Sequence, residues 1–295
     1  MNRRRQTHVL AFGLSACLIA QGAVAQSERV SVRMAPQPGQ SVRLAMTQEM
    51  DFDIGFDGAM PPGFSGMKIL TRTTMTMTQK TGPRKADGTV DAELTYEEFR
   101  AETLMNGQPM PAEPVDQIVG KTVSVTYARD GQIVSVKGLP AGGLTDDAFK
   151  EMMGSILGNL PAAPIGVGET ATTPLNFAVP LPLPGAGPMQ LSGENRIRLI
   201  SIDKDNQGRS ARFDSTVTGT MVNEMASPDG KGNLTFDFTM EGGGTTVLDL
   251  DRGLPRSALA TTTLNGKITP NTVAPATSLP PMTMRATIRV TMTGK

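Results

Sequence analysis

Along most of this chain apolar and polar residues alternate. Val42, Leu44 and Met46 are separated by polar or small residues, as are Val90, Ala92, Leu94 and Tyr96, and then Val123, Val125 and Tyr127. The second half repeats the pattern at Ile197 and Leu199, at Phe213, Ser215 and Val217, at Leu234, Phe236 and Phe238, and at Met284, Ala286, Ile288 and Val290. A period of two sends one set of side chains to a buried face and the other to solvent, as in antiparallel sheets. Turn chemistry separates the runs: Ala86-Asp87-Gly88, Arg129-Asp130-Gly131, Asn206-Gln207-Gly208, Pro228-Asp229-Gly230 and Asn265-Gly266. These signals predict roughly ten to thirteen strands.

The period breaks once. Between Thr145 and Leu160 the apolar residues Phe149, Met152, Met153, Ile156, Leu157 and Leu160 fall at helical spacing. Thr145 suits the cap, Asp146 and Asp147 suit the positive end of a helix, and Pro161 ends it. Gly154 and Gly158 each weaken such a helix by about 1 kcal/mol relative to alanine, so its apolar face must lie on a sheet. The expected fold is mainly β (α+β): a curved antiparallel sheet or half-barrel with one amphipathic helix, about 145–160, packed on it.

The flanks of this helix look related. Pro38-Gly39-Gln40 and Val167-Gly168-Glu169 each open a strand, and each is followed by long strands and a hairpin. This suggests an internal duplication, with half-repeats 39–140 and 165–268 inside a single β-rich domain spanning 39–295. Three stretches are irregular: the apolar loop Gly55 to Gly66, the Pro-rich Val179 to Pro188, and the connector Pro270 to Pro281.

The N-terminus reads as an export signal over residues 1–25, followed by an N-terminal segment, 26–38. Arg3-Arg4-Arg5 precede an apolar run from Val9, and Ala23-Val24-Ala25 offer small residues for cleavage after Ala25. The apolar run is short, and Gln21 and Gly22 interrupt it, whereas a spanning helix needs about 20 apolar residues. No transmembrane segment is expected in the mature chain, and the expected location is periplasmic or secreted, in a bacterium. An alternative is carried by Leu14-Ser15-Ala16-Cys17, which resembles a bacterial lipobox. Cleavage there would leave a lipoprotein anchored through Cys17. Cleavage after Ala25 is favoured, because the apolar run continues past Cys17.

Cleavage at Ala25 removes the only histidine, His8, and the only cysteine, Cys17, of a chain that has no tryptophan. The familiar nucleophile, proton-relay and metal-ligand side chains are then scarce. Removing three arginines from 28 basic residues leaves 25 against 28 acidic ones, a net charge of −3. A near-neutral chain argues against nucleic acid or an anionic membrane as partner. Aromatic residues make up only 4% of the chain, which argues against a sugar-stacking platform and against the aromatic girdles of an outer-membrane barrel.

The remaining motifs are weak. Ser65-Gly66-Met67-Lys68 and Lys80-Thr81-Gly82 match S-x-x-K and K-T-G, but the serine sits in a Gly/Pro loop and the spacing is wrong for a hydrolase. Gly120-Lys121-Thr122 lacks the upstream glycine of a phosphate loop, with Val115 in its place. Asp203-Lys204-Asp205-Asn206-Gln207-Gly208 resembles a calcium loop but reads better as a polar hairpin turn. Met75-Thr76-Met77 and Met282-Thr283-Met284 place thioethers on strand faces, where filler methionine is favoured over a copper(I) ligand. Glu97-Glu98 are adjacent in a strand and are expected to point to opposite faces, with an edge or bulge after Tyr96. No catalytic residue, metal site or cofactor is expected, and an enzyme is disfavoured.

The Val123-to-Val136 hairpin, the Phe149-to-Leu160 helix and the Pro164-Ile165-Gly166-Val167-Gly168-Glu169 step together resemble the periplasmic half-barrel proteins. These are the lipoprotein-localisation factors (LolA/LolB-like) and related secreted families. The resemblance is one of architecture. It implies a sheet curved around an apolar cavity that takes lipid or acyl chains, with no catalytic residues, and it makes Phe149, Met152, Met153, Ile156 and Leu157 candidate ligand-lining positions. The expected function is a non-enzymatic envelope protein that binds a lipid or other hydrophobic ligand. The alternative is a structural or interaction module that engages an envelope protein through sheet edges and the apolar loop. A Ser/Lys or carboxylate hydrolase is the least favoured reading.

Overall fold

The computed structural model describes residues 28–57, 66–110, 118–139, 146, 150, 160–179, 189–226, 232–272 and 280–295. Their strands are β1 (Arg29–Val30), β2 (Ser41–Phe56), β3 (Met67–Arg84), β4 (Val90–Met105), β5 (Gln108–Pro109), β6 (Thr122–Tyr127), β7 (Ile133–Lys137), β8 (Ile165–Gly166), β9 (Thr170–Val179), β10 (Met189–Asp205), β11 (Gly208–Ala226), β12 (Gly232–Asp249), β13 (Leu254–Thr272) and β14 (Met282–Gly294). The described residues are almost entirely β. Twelve strands form one antiparallel sheet in the order β7-β6-β4-β3-β2-β14-β13-β12-β11-β10-β9, with β5 beside β4. The sheet is open, with β7 and β9 as its edges.

The topology is two meanders back to back. The first starts mid-sheet at β2 and runs outward to β7. The second starts at the opposite edge, β9, and returns to mid-sheet, where β14 pairs with β2 from Gly294↔Leu44 to Met282↔Phe56. Many of the strands are long, and the tight turns between β3 and β4, β6 and β7, β10 and β11, and β12 and β13 gather at one end. Gly39 and Gly168, at φ 72° and 84°, turn the chain into β2 and β9.

Curvature follows from a strap, residues 29–40, that crosses the turn end. Val30 and Val32 share a buried cluster with Ile197, Leu199, Ala211, Phe213 and Leu248 of β10–β12. The next residue, Arg33, pairs at 3.1 Å with Asp130 in the β6–β7 turn. In a flat sheet β10 and β6 would lie about 40 Å apart at ~4.8 Å per strand, whereas consecutive residues span at most about 3.6 Å. The sheet therefore curls until its two halves face one another across the strap. Two hairpin glycines receive the strap. A Cβ on Gly131 would overlap the Met34 carbonyl, and one on Gly253 would overlap the Ala35 carbonyl. The Gln37 amide then donates to the Arg252 carbonyl at 3.1 Å, and the Thr81 hydroxyl donates to the Gln37 carbonyl at 2.6 Å.

Several expectations are corrected. Asn265-Gly266 is not a turn but lies inside β13, with Gly266 paired to Phe238 and Met284. A Cβ there would strike the Asp237 carbonyl and the Phe238 ring, so this glycine serves close packing on a bent sheet. Pro270 is also within β13, paired with Leu234, and Gly55 and Phe56 belong to β2. Of the apolar loop, 58–65 lies outside the described residues, as do Pro228-Asp229-Gly230. Glu97 and Glu98 do not face opposite ways. The register slips between Thr76 and Met77, making Glu97 the extra residue of a bulge. Glu97 then meets Arg43 at 2.7 Å and Thr78 at 2.5 Å, while Glu98 meets Thr76 at 3.4 Å, all outer-face residues.

The amphipathic helix expected over 145–160 is not seen among the described residues. Of the three described residues in that span, Asp146 and Lys150 carry helical backbone and Leu160 does not. Its candidate ligand-lining residues Phe149, Met152, Met153, Ile156 and Leu157 lie outside the described residues, as do Ala25 and Cys17 of the export signal.

Candidate functional site

Strand register defines the inner face of the curl. Along β2 it carries Val42, Leu44, Met46, Gln48, Met50, Phe52, Ile54 and Phe56, all buried or partly buried. Neighbouring strands add Met67, Ile69, Met75 and Met77 from β3, Phe99 and Met105 from β4, and Met282, Met284, Ile288, Val290 and Met292 from β14. Methionine dominates this surface because alternate positions from distant parts of the chain converge on one face. The outer face is polar and threonine-rich. Glu49 there accepts from Arg72 at 2.7 Å and from Arg289 at 3.1 Å, joining three strands. Arg72 is the first cause holding the Glu49 carboxyl below its ordinary range.

On the inner face, where the strap passes over β10–β12, the surface hollows into a cavity of about 190 Å³. Its walls are Val32 and Met34 of the strap, Leu160, Ile197, Phe213 and Leu248, with Asn195, Ser215 and Thr246 as the polar members. The Ser215 hydroxyl turns to the Gly244 carbonyl at 3.4 Å, so the lining is largely apolar. An apolar cavity of about 150 Å³ stays dry and accepts a benzene-sized molecule, and pockets for bulkier ligands run from about 300 Å³ upward. This hollow matches one hydrocarbon chain end or one ring.

At the β12–β13 turn Asp249 and Arg256 form a buried ion pair. Asp249 is 2% exposed and accepts from Arg256 Nε at 3.0 Å. Its other oxygen accepts from the Asp251 and Arg252 amides at 3.0 and 2.8 Å. Arg256 also forks onto Asp205 at 2.9 and 3.1 Å and donates to the Gln207 carbonyl. Asp205 is held below the ordinary carboxylate range, first by the Gln207 amide and also by Arg256. The Asp203-to-Gly208 segment is thus a hairpin turn whose second carboxylate is already engaged by Arg256.

The other sequence motifs do not converge. Lys68 and Lys80 lie on one strand, twelve residues apart and so about 40 Å from each other. Lys68 faces outward toward Asp53 at 3.5 Å, and Ser65 lies outside the described residues. Among the described residues, no three or more His, Cys, Asp or Glu side chains are grouped to hold a metal ion. No helix among them is long and apolar enough to cross a membrane. Sequence reasoning missed the cavity walls from the strap and from β10–β12. Its one available signal was Asn195 and Ser215, polar or small residues at inward positions of otherwise apolar runs.

No known family matches the chain, and no curated protein matches it. Among solved structures, DynF from the dynemicin biosynthesis pathway of Micromonospora chersina aligns over 91% of this chain and 86% of its own at 9% identity. Its TM-score of 0.18 is too low to carry an argument about fold or function.

Proposed function

We propose that this chain is an exported, non-enzymatic envelope protein of half-barrel type that holds a hydrophobic ligand on the inner face of its curled sheet. The observation that carries this reading is the cavity of about 190 Å³ between the strap and β10–β12, set on an inner face rich in methionine. Unbranched thioether side chains adapt to irregular apolar shapes, which suits a ligand of variable chain. The size favours the end of a single acyl chain, with the rest lying along the apolar face. Leu160 lines the same cavity from outside the strap and β10–β12. The mature protein is soluble if cleaved after Ala25 and membrane-anchored if lipidated at Cys17.

The reading as an interaction module has less support. Edge strand β9 carries Pro174, which cannot donate to an added strand, and edge strand β7 is only five residues long. Native mass spectrometry of the protein purified from its own envelope, followed by lipid extraction, tests the ligand-binding reading. A co-purifying hydrophobic mass is expected in the wild type, at least tenfold depleted in Ser215→Leu, whose side chain fills the cavity. Protein that emerges ligand-free, or equal occupancy in the variant, would overturn the proposal.

A further inference from the structure

We infer that Met46, Met75 and Met292 form a thioether site for a soft monovalent metal ion, copper(I). The three residues come from β2, β3 and β14, and the register sets them in one unbroken row, Met75↔Met46↔Met292. Directly opposed residues on one face have Cβ atoms about 4.5–5.5 Å apart. Rotation about the Cα–Cβ and Cβ–Cγ bonds places each methionine sulfur, enough to turn three neighbouring sulfurs toward a common point. All three side chains are partly buried, so an ion can reach them and still be shielded from bulk water. Phe99 opposes Met75 at one end of the row, and the small Ala258 opposes Met292 at the other. Met77 lies two positions from Met75 on the same face of β3, a fourth sulfur within the patch.

The donor set decides the ion. Neutral thioethers are soft ligands that select copper(I), whereas calcium and magnesium need oxygen and zinc is usually held by thiolate, imidazole or carboxylate. Among the described residues no competing cluster of His, Cys, Asp and Glu exists to draw a harder ion. The row shares no residue with the walls of the cavity, although it lies on the same inner face along which the proposed ligand extends.

The test is an anaerobic titration of the full chain carrying Cys17→Ser and His8→Gln, which removes its one thiol and one imidazole, with copper(I) against a chromogenic copper(I) chelator, with zinc(II) as a second probe. One copper(I) per chain is expected, with an all-sulfur first shell by X-ray absorption and no zinc(II) bound at the same residues. Met46→Leu, Met75→Leu and Met292→Leu conserve volume while removing one sulfur each, and each should weaken copper(I) binding at least tenfold. The triple variant should abolish binding, and the double variant Met240→Leu/Met284→Leu should match the wild type, all with unchanged circular dichroism. The inference is overturned if the wild type fails to compete with the chelator, if the triple variant retains wild-type affinity, or if the first shell is nitrogen or oxygen.

Discussion

Arg256 and Asp249 show how much one residue can hold in place. Asp249 is almost fully buried, and Arg256 is the cation beside its carboxylate. Removing one partner of a buried pair leaves an uncompensated charge, typically at a cost of about 3–5 kcal/mol. Arg256→Leu should lose stability of that order in urea unfolding, whereas Arg29→Leu, at an exposed pair with Glu169, should lose less than about 1 kcal/mol. Tyr127 makes a second prediction at this scale. Burial pushes its phenol from 10.0 up to about 12. Between those values the unfolded chain has released this proton and the folded chain keeps it, so stability falls as pH rises. Tyr127→Phe should flatten the loss of stability between pH 10 and 12. A Tyr127→Phe protein with the same alkaline limb as wild type would refute the assignment.

Among the elements, glycine separates what sequence reports from what packing requires. Turn chemistry at Asp130-Gly131 and Asn206-Gln207-Gly208 was legible because those glycines adopt left-handed backbone, at φ 84° and 108°. Asn265-Gly266 carries the same letters yet sits mid-strand, where the inner face of the bent sheet leaves no room for a Cβ. Gly266→Ala should therefore cost about 1–3 kcal/mol through overpacking against backbone. Gly55→Ala, which meets only the Thr283 hydroxyl at 3.3 Å, should be nearly neutral. Equal losses in a thermal unfolding comparison would show that strand propensity, not crowding, sets the effect. The bulge expected after Tyr96 is present, but alternation did not show that its inserted residue keeps Glu97 and Glu98 on one face.

For the whole molecule, the strap decides shape. Val32 packs against one half of the sheet while Arg33 bonds to the other, so this segment ties the two meanders together. Val32→Asp places a charge in that cluster and in the cavity wall. It should release the curl, raise the radius of gyration in small-angle scattering and expose the inner face to a hydrophobic dye. An unchanged radius of gyration would show that sheet twist alone maintains the curvature.

The sequence by itself determined the strand-rich antiparallel character, the turns at 86–88, 129–131 and 206–208, the polarity of the two faces and the scarcity of histidine and cysteine. These follow from local periodicity and composition, which a reader of the chain can count. Only the tertiary structure decided which distant residues share a place: the strap against β10–β12, the fork of Arg256, and the row of Met46, Met75 and Met292. The physical reason is register. A period of two states which side chains share a face, but not which strand lies beside which, and long-range pairing closes loops whose lengths carry no local signal.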